Sequence, residues 1–263
     1  MSTYLDDIAA FHREEARLDR RDLAELDRAA SSTKSPPSFR GALMASESVS
    51  LIAEVKRKSP SKGVLNDKLD LDDVVKRYVR GGAKAISVLT DSQYFSGSLQ
   101  DLEVVRSKCD LPLLRKDFTV SSRDVYDAKI SGASAVLLIV AILSNAELRQ
   151  LYELAKHIGL DAVVEVHSRE EIESAVSIGA DIIGINQRNL HTFEIDYDLA
   201  LDLIEDIPEE ICKIVESGIS DRSQIERVAS AGCDAVLVGE SLVLPSSSYA
   251  TVQSFATVPR RVL

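Results

Sequence analysis

The chain alternates between two kinds of segment. Charged stretches with apolar residues at helical spacing are followed by short, nearly continuous apolar runs. Four junctions share one pattern: GGAKAISVLT from Gly81, SGASAVLLIV from Ser131, IGADIIGINQ from Ile178 and AGCDAVLVGE from Ala231. IGLDAVVEVH from Ile158 is a looser copy. Glycine after an amphipathic stretch is the left-handed residue that ends a helix. The apolar run behind it suits a strand buried on both faces of a parallel sheet. Three further runs, Ser50 to Val55, Pro112 to Arg115 and Ile211 to Val215, fit without a leading glycine. The expected strand starts are therefore about 50, 84, 112, 134, 161, 181, 211 and 234.

Between them lie helices. Leu71 to Arg80 has acids first and bases last, matching the helix dipole. Ser168 to Val176 and Ser220 to Val228 each begin with a serine cap and carry acids or amides in the first turn. Eight strand–helix units in 263 residues predict an α/β fold, a (β/α)8 TIM barrel, as one domain over 1–263. Residues 1–48 precede it as a helical extension. Tyr4 to Leu26 reads as one amphipathic helix, broken by the loop SSTKSPPS from Ser31. That helix either caps one end of the barrel or also borders the active site. A doubly wound open sheet would carry a Gly-rich first turn, which is missing.

Composition narrows the function classes. With 31 basic and 42 acidic residues the net charge is −11, which disfavours a nucleic-acid partner but leaves room for a local basic pocket. Cys109, Cys212 and Cys233 are scattered and read as structural, in a reducing compartment. The longest apolar run, Ala135 to Leu143, is too short to span a membrane. A cytoplasmic protein is expected, without membrane or nucleic-acid partners, as a monomer or weak homo-oligomer. No metal-ligand spacing or nucleotide motif is present, so no metal and no cofactor is expected.

Barrels of this type place chemistry at the C-terminal strand ends. Those ends carry Glu54, Lys56, Lys58 and Ser59, then Lys116, Glu165 with His167, Asn186 with Arg188, Glu216 with Ser217 and Gly218, and Gly239 with Glu240 and Ser241. The fourth end, Ile139 to Leu143, is apolar. Residues two apart on a strand share a face, so Glu54 points with Lys56, and Glu165 with His167. Acids and bases gathered at one rim suit proton transfer, or else form ion pairs that plug the barrel mouth. His167 reads as a supporting or surface residue. The glycines at the seventh and eighth ends let backbone N–H groups approach an anion, with ordinary turn geometry as the alternative. Lys56 and Lys58 could add charge there. Phe95 and Phe118 could line a pocket for an apolar ring or serve the core.

These rim segments resemble the indole-3-glycerol phosphate synthase family. The matching stretches are Ile52 to Ser61, Leu114 to Phe118, Val164 to His167, Gly184 to Leu190, Glu216 to Ile219 and Leu237 to Leu242. The resemblance implies cofactor-free ring closure, decarboxylation and dehydration of an anionic sugar phosphate, 1-(2-carboxyphenylamino)-1-deoxyribulose 5-phosphate. It implies Lys116 as general acid at the ribulose carbonyl and Glu165 as general base for dehydration. Lys56 would assist proton transfer, and Glu54 and Asn186 would orient the reacting groups. Glu216 and Ser217 would complete the catalytic set. Gly218, Gly239 and Glu240 would hold the phosphate, with Ser59 nearby; Lys58 and Ser241, read from their strand-end positions, are expected to add to substrate binding. Arg188 would close the rim, and Phe95 and Phe118 would flank the anthranilate ring. The family's N-terminal helix folds over the mouth. Gln187 stands where the family often has Asn, and the tail beyond Leu242 departs from the usual charged final helix. Rival readings are a Schiff-base aldolase using Lys116, a sugar-phosphate isomerase and a non-catalytic barrel partner subunit. An isomerase of the phosphoribosylanthranilate type would be expected to carry Cys on its first strand, where Glu54 and Lys56 stand.

Overall fold

The computed structural model describes residues 3–189, 191–244 and 246–261. Three helices come first: α1 (Tyr4–Leu18), α2 (Leu23–Ser32) and α3 (Phe39–Met44). Then follow β1 (Ser50–Val55), the short β2 (Lys58–Ser59) and β3 (Gly63–Val64), α4 (Leu71–Gly81), β4 (Ala85–Leu89) and α5 (Leu99–Lys108). The middle of the chain forms β5 (Leu113–Lys116), α6 (Ser122–Ile130), β6 (Ala135–Ile139), α7 (Asn145–His157), β7 (Asp161–Val166) and α8 (Arg169–Ser177). The last part forms β8 (Ile182–Asn186), α9 (Leu199–Leu203), β9 (Cys212–Glu216), α10 (Arg222–Ser230), β10 (Ala235–Val238), α11 (Glu240–Val243) and α12 (Tyr249–Ala256).

Strands β1 and β4 through β10 pair in parallel and close into a barrel, with β10 against β1. Each begins within one residue of its expected start. The glycines of the repeat, Gly82, Gly132, Gly159, Gly179 and Gly232, all have positive φ, between 76° and 100°. Each ends a helix and turns the chain back into the next strand.

Strand alternation sorts the core into two layers. Leu51, Ala53 and Val55 of β1 face the surrounding helices, as do Ala162, Val164 and Val166 of β7. Ile52, Leu114, Leu137, Val163, Ile182, Ile214 and Leu237 fill the barrel interior. Two residues further along each strand, the interior position becomes Glu54, Lys116, Ile139, Glu165, Gly184, Glu216 and Gly239. The polar site is thus the next inward layer above an apolar plug.

The extension divides its work among three helices rather than one. The chain breaks after Leu18, correcting the single helix expected over Tyr4 to Leu26, and α2 runs through Ser32 into the expected loop. Helix α3 closes the bottom. Its N-terminal amides, Phe39 N–H and Arg40 N–H, donate to Asp161 at 2.8 and 3.0 Å. Phe39 and Leu43 are fully buried against the inner core, each contributing roughly 2 kcal/mol of apolar burial. Helix α1 lies across the opposite end, where Leu5 and Ile8 are buried. The first part of the expected helix therefore borders the cavity at the barrel mouth, while the bottom is closed by α3, which lies outside the expected Tyr4 to Leu26 helix.

One smaller correction concerns a cap. Helix α10 is capped by Asp221, not Ser220; its side chain accepts Gln224 N–H, and Gln224 reaches back to the cap. A carboxylate at that position also complements the helix dipole. The tail forms two short helices, α11 of 4 residues and α12 of 8, consistent with an atypical end to the barrel. Among the described residues, no helix is long and apolar enough to cross a membrane.

Candidate active site

The barrel mouth holds a cavity of about 290 Å³. Its floor is built from the last inward residues of the strands: Glu54, Leu89, Lys116, Ile139, Glu165, Asn186, Glu216 and Gly239. Lys116 Nζ donates to Glu165 Oε2 at 2.7 Å and to Glu216 Oε2 at 2.9 Å. Asn186 Nδ2 donates to Glu165 Oε1 at 3.0 Å. Lys56 Nζ donates to Glu54 Oε1 at 2.5 Å. All are enclosed, with Glu54, Glu165 and Glu216 at most 3% exposed.

Burial opposes the charge of Lys116, but Glu165, Glu216 and Glu54 outweigh it and hold the ammonium above the ordinary lysine range. Burial also works against the Glu165 carboxylate. Lys116 and His167 reverse this and keep Glu165 below its usual range. Glu216 goes the other way. Its burial, with Glu165 and Glu54 nearby, pushes it up to about 7 despite Lys116. The site thus offers a firmly charged acid, an ionised base and a second carboxyl that gains a proton near neutrality. Carboxyl groups driven apart in this way can divide acid and base roles.

Two glycines make this packing possible. A Cβ on Gly184 would overlap Glu216 Oε1, and one on Gly239 would overlap Glu54 Oε1 and press on Lys56 Nζ. Gly239 therefore makes room for a carboxylate, a role that turn geometry in the sequence does not reveal.

Behind Lys116, the alternate residues of β5 face outward. Arg115 Nη2 donates to Asp117 Oδ2 at 2.9 Å, and the Thr90 hydroxyl donates to the same oxygen. His12 of α1 lies 2.9 Å from Asp91 and 3.9 Å from Asp117, and stacks on Phe118 with ring centroids 5.3 Å apart. His12, Asp91 and Asp117 are spaced for a cation. Arg115 already supplies the positive charge there, and Asp91 accepts the Tyr94 and Phe95 N–H groups.

The outer part of the cavity has a polar and an apolar side. Ser59, Pro60, Ser61, Lys62, Ser217, Gly218, Ile219, Ser220 and Glu240 line the polar side. Ser217 and Gly218 both take positive φ, 69° and 79°. Gln187 fixes this turn by donating to Ser217 C=O at 2.8 Å. Lys62 pairs with Glu240. Tyr4, Leu5, Ile8, Phe95, Phe118, Phe193 and Tyr197 supply the apolar side. Arg188 joins the rim, donating to Phe193 C=O at 3.0 Å.

Most of the residues expected from the sequence therefore meet in one cavity. Two do not reach it. Lys58 sits on β2 outside the lining, and Lys62 at the β2–β3 turn takes its place. Ser241 also lies outside, its hydroxyl donating to Ile219 C=O at 3.4 Å. Leu190, part of the family-like Gly184 to Leu190 stretch, lies outside the described residues. The three cysteines are free thiols away from the cavity. Sequence reasoning missed Tyr4, Leu5, Ile8, Phe193, Ile195 and Tyr197. Only the amphipathic pattern of α1 pointed toward any of them.

Comparison with known proteins points one way. The family model described as indole-3-glycerol phosphate synthase matches residues 5–255. An indole-3-glycerol phosphate synthase of Arthrobacter sp. (strain FB24) is 44% identical over 260 residues, covering 96% of this chain and 95% of the relative. That of Chloroherpeton thalassium is 41% identical over 246 residues, covering 92% and 95%. Among solved structures, 3-hexulose-6-phosphate synthase from Salmonella typhimurium is similar with a TM-score of 0.64 at 12% identity, covering 79% of this chain and 96% of that one. At that identity the likeness concerns the fold.

Proposed function

The chain belongs to the indole-3-glycerol phosphate synthase family and is a carboxy-lyase; from that premise we propose how its residues divide the reaction. The substrate is 1-(2-carboxyphenylamino)-1-deoxyribulose 5-phosphate. Its ring closes, carbon dioxide and water leave, and indole-3-glycerol phosphate forms.

Lys116 is the general acid at the ribulose carbonyl. The observation that carries this is its position, charged and enclosed, between Glu165 and Glu216. An ammonium held above its ordinary range still protonates an oxyanion as it develops. The same charge makes Lys116 a poor amine nucleophile, which argues against Schiff-base chemistry. Glu165 is the base that removes the ring proton during dehydration, oriented by Asn186. Lys56, held by Glu54, provides the second cation near the departing hydroxyl. Glu216 steers Lys116 through its Oε2 contact.

The phosphate lies on the polar side, against Lys62 and the backbone N–H groups around Ser217, Gly218, Gly239 and Glu240, with Ser59 beside it. Helix α11 is a single turn, so charge and N–H groups, not a macrodipole, hold the anion. The anthranilate ring lies between Phe95 and Phe118, under Leu5 and Ile8 of α1. Arg188 serves the rim.

The experiment that tests this division is Glu165→Gln. It is expected to lower kcat on the order of 100-fold with KM nearly unchanged. A large rise in KM with kcat retained would make Glu165 a binding residue instead.

A further inference from the structure

Glu165 has a second titratable neighbour that the reaction as described does not use. His167 lies two residues beyond it, on the same face at the end of β7. Its Nε2 is buried without a hydrogen-bond partner, 3.7 Å from Glu165 Oε1. Its Nδ1 lies 3.3 Å from Glu171 Oε2, and the same oxygen accepts the His167 backbone N–H at 2.6 Å. Glu171 stands in the first turn of α8, with its side chain 22% exposed. A line of titratable groups thus runs inward from the partly exposed Glu171 through His167 and Glu165 to Lys116. The charged groups around His167 are Glu165 from β7, Glu171 from α8 and Glu216 from β9, with Lys116 of β5 beyond the two inner carboxylates.

The reaction gives such a line something to carry. The substrate enters with an ionised anthranilate carboxylate, and that group leaves as neutral carbon dioxide. The ketone oxygen leaves as water, and the product carries no charge in place of the carboxylate. Charge balances only if each turnover takes up one proton from solvent. Two protons are delivered to oxygen, one at ring closure and one as water departs. A single proton comes back, from the ring to Glu165. Glu165 can return it to Lys116 across their 2.7 Å contact. The remaining proton must enter the enclosed site.

We propose that His167 and Glu171 form the proton inlet that recharges this site after each turnover. The proposal rests on Glu165 as base and Lys116 as acid. A solvent proton reaches His167 Nδ1 beside Glu171. His167 releases the proton on Nε2 to the ionised Glu165 at Oε1, and the Glu165 carboxyl hands that proton to Lys116, which shares it with Glu216 across their 2.9 Å contact. One proton enters and one reaches Lys116 and Glu216; Glu165 is again ionised, and His167, left with its proton on Nδ1, regains the Nε2–H form by turning its ring before the next cycle. His167 is a positioning and relay residue, not one that touches the substrate. Aromatic nitrogens suit the task because one can accept a proton while the other releases one. Distances to catalytic partners in an empty site commonly shorten once substrate is bound.

The test compares the first turnover with later ones, followed by indole fluorescence after rapid mixing of the full-length protein with its substrate. Enzyme equilibrated near pH 6, with Lys116 charged and Glu216 protonated 2.9 Å from it, already holds both protons that the first turnover delivers and needs no inlet for it. His167→Asn is therefore expected to complete the first turnover at the wild-type rate and then slow about tenfold, since solvent at this edge partly replaces the relay. Millimolar imidazole, or a lower pH, should restore the later turnovers, with no effect of imidazole on the wild type. Glu171→Gln should show the same division, and it keeps an oxygen to accept the His167 N–H. Equal slowing of first and later turnovers, without response to imidazole, would overturn the proposal and leave His167 as a support for the strand end. Unchanged turnover in both variants would place proton entry elsewhere. A fully active Glu165→Gln would sink the underlying reading independently of either variant.

Discussion

Lys116 on β5 and Glu165 on β7 meet at 2.7 Å although 49 residues separate them in the chain. Each is the last inward residue of its strand, and β6 between them offers apolar Ile139 at the corresponding level. The pair exists because barrel closure brings two non-neighbouring strand ends over one apolar plug. Glu216 approaches the same ammonium from β9. Three charged groups become mutually dependent, so changing one alters the protonation of the others.

Removal of Lys116 illustrates this. Lys116→Met leaves Glu165 and Glu216 buried together without their cation. Glu216, already pushed up to about 7, rises further. A folded-state acid above its unfolded value binds more protons than the unfolded chain, so stability falls as pH rises. The variant should be close to wild type in Tm near pH 5 and progressively less stable toward pH 8. Parallel Tm curves across that range would contradict the shared-proton picture.

The N-terminal helix carries its own pH dependence. Burial opposes the charge of His12, but the hydrogen bond to Asp91 and the charges of Asp117, Asp91 and Asp124 outweigh it and raise its pKa. A raised histidine contributes stability that is fully present below its unfolded value and is lost as pH rises through the folded one. Helix α1 should thus be most firmly docked below about pH 6.5 and should loosen in mildly alkaline solution. Amide hydrogen exchange of α1 at pH 6 and at pH 8.5, corrected for intrinsic rates, measures this. His12→Ala should abolish the difference and raise KM, because Tyr4, Leu5 and Ile8 line the cavity.

Gly239 should tolerate a methyl structurally but not catalytically. The atoms that Gly239→Ala would displace are the tips of Glu54 and Lys56, which are flexible ends rather than backbone. Displacement by about 1 Å can cost on the order of 100-fold in rate. The expected result is a Tm within a few degrees of wild type, with kcat strongly reduced. Full activity in Gly239→Ala would show that the Glu54–Lys56 pair need not hold its observed geometry.

Lys129 on α6 is a stability liability away from the site. It is 4% exposed, and its ammonium has no hydrogen bond or ion pair among the described residues. Burial alone lowers its pKa. Lys129→Met keeps the stem's packing and removes the cost of partly desolvating a charge. It should stabilise the protein by about 1 kcal/mol, raising Tm by about 3 °C, without changing kcat. A fall in Tm would indicate that the ammonium reaches solvent at little cost.

The barrel was legible because its signal is periodic. Each buried parallel strand writes a run of apolar residues, and each preceding helix ends on a left-handed glycine. The floor of the site was legible for the same reason, since Glu54, Lys116, Glu165, Asn186 and Glu216 interrupt inward positions where an apolar residue would otherwise stand. Residues held by loop geometry were not. The β2–β3 turn swings Lys62, and not Lys58, toward Glu240, a choice made by a two-residue hairpin pairing. Phe193 adopts φ of 63° and meets Tyr4 at 5.0 Å between centroids, a contact between segments nearly 190 positions apart that no local pattern encodes. The break after Leu18 was hidden because Asp19 to Asp22 are as polar as the rest of the exposed helix face.

The role of Lys116 as the acid is tested most simply by the reaction itself in the Lys116→Ala variant. The purified wild type and variant are mixed with 1-(2-carboxyphenylamino)-1-deoxyribulose 5-phosphate, and indole fluorescence is followed while circular dichroism monitors folding. The account predicts product from the wild type and a loss of at least about 100-fold in kcat from a folded variant. A folded Lys116→Ala protein that closes the ring at the wild-type rate would contradict it, and the acid at the carbonyl would have to be Lys56 or another group of the rim.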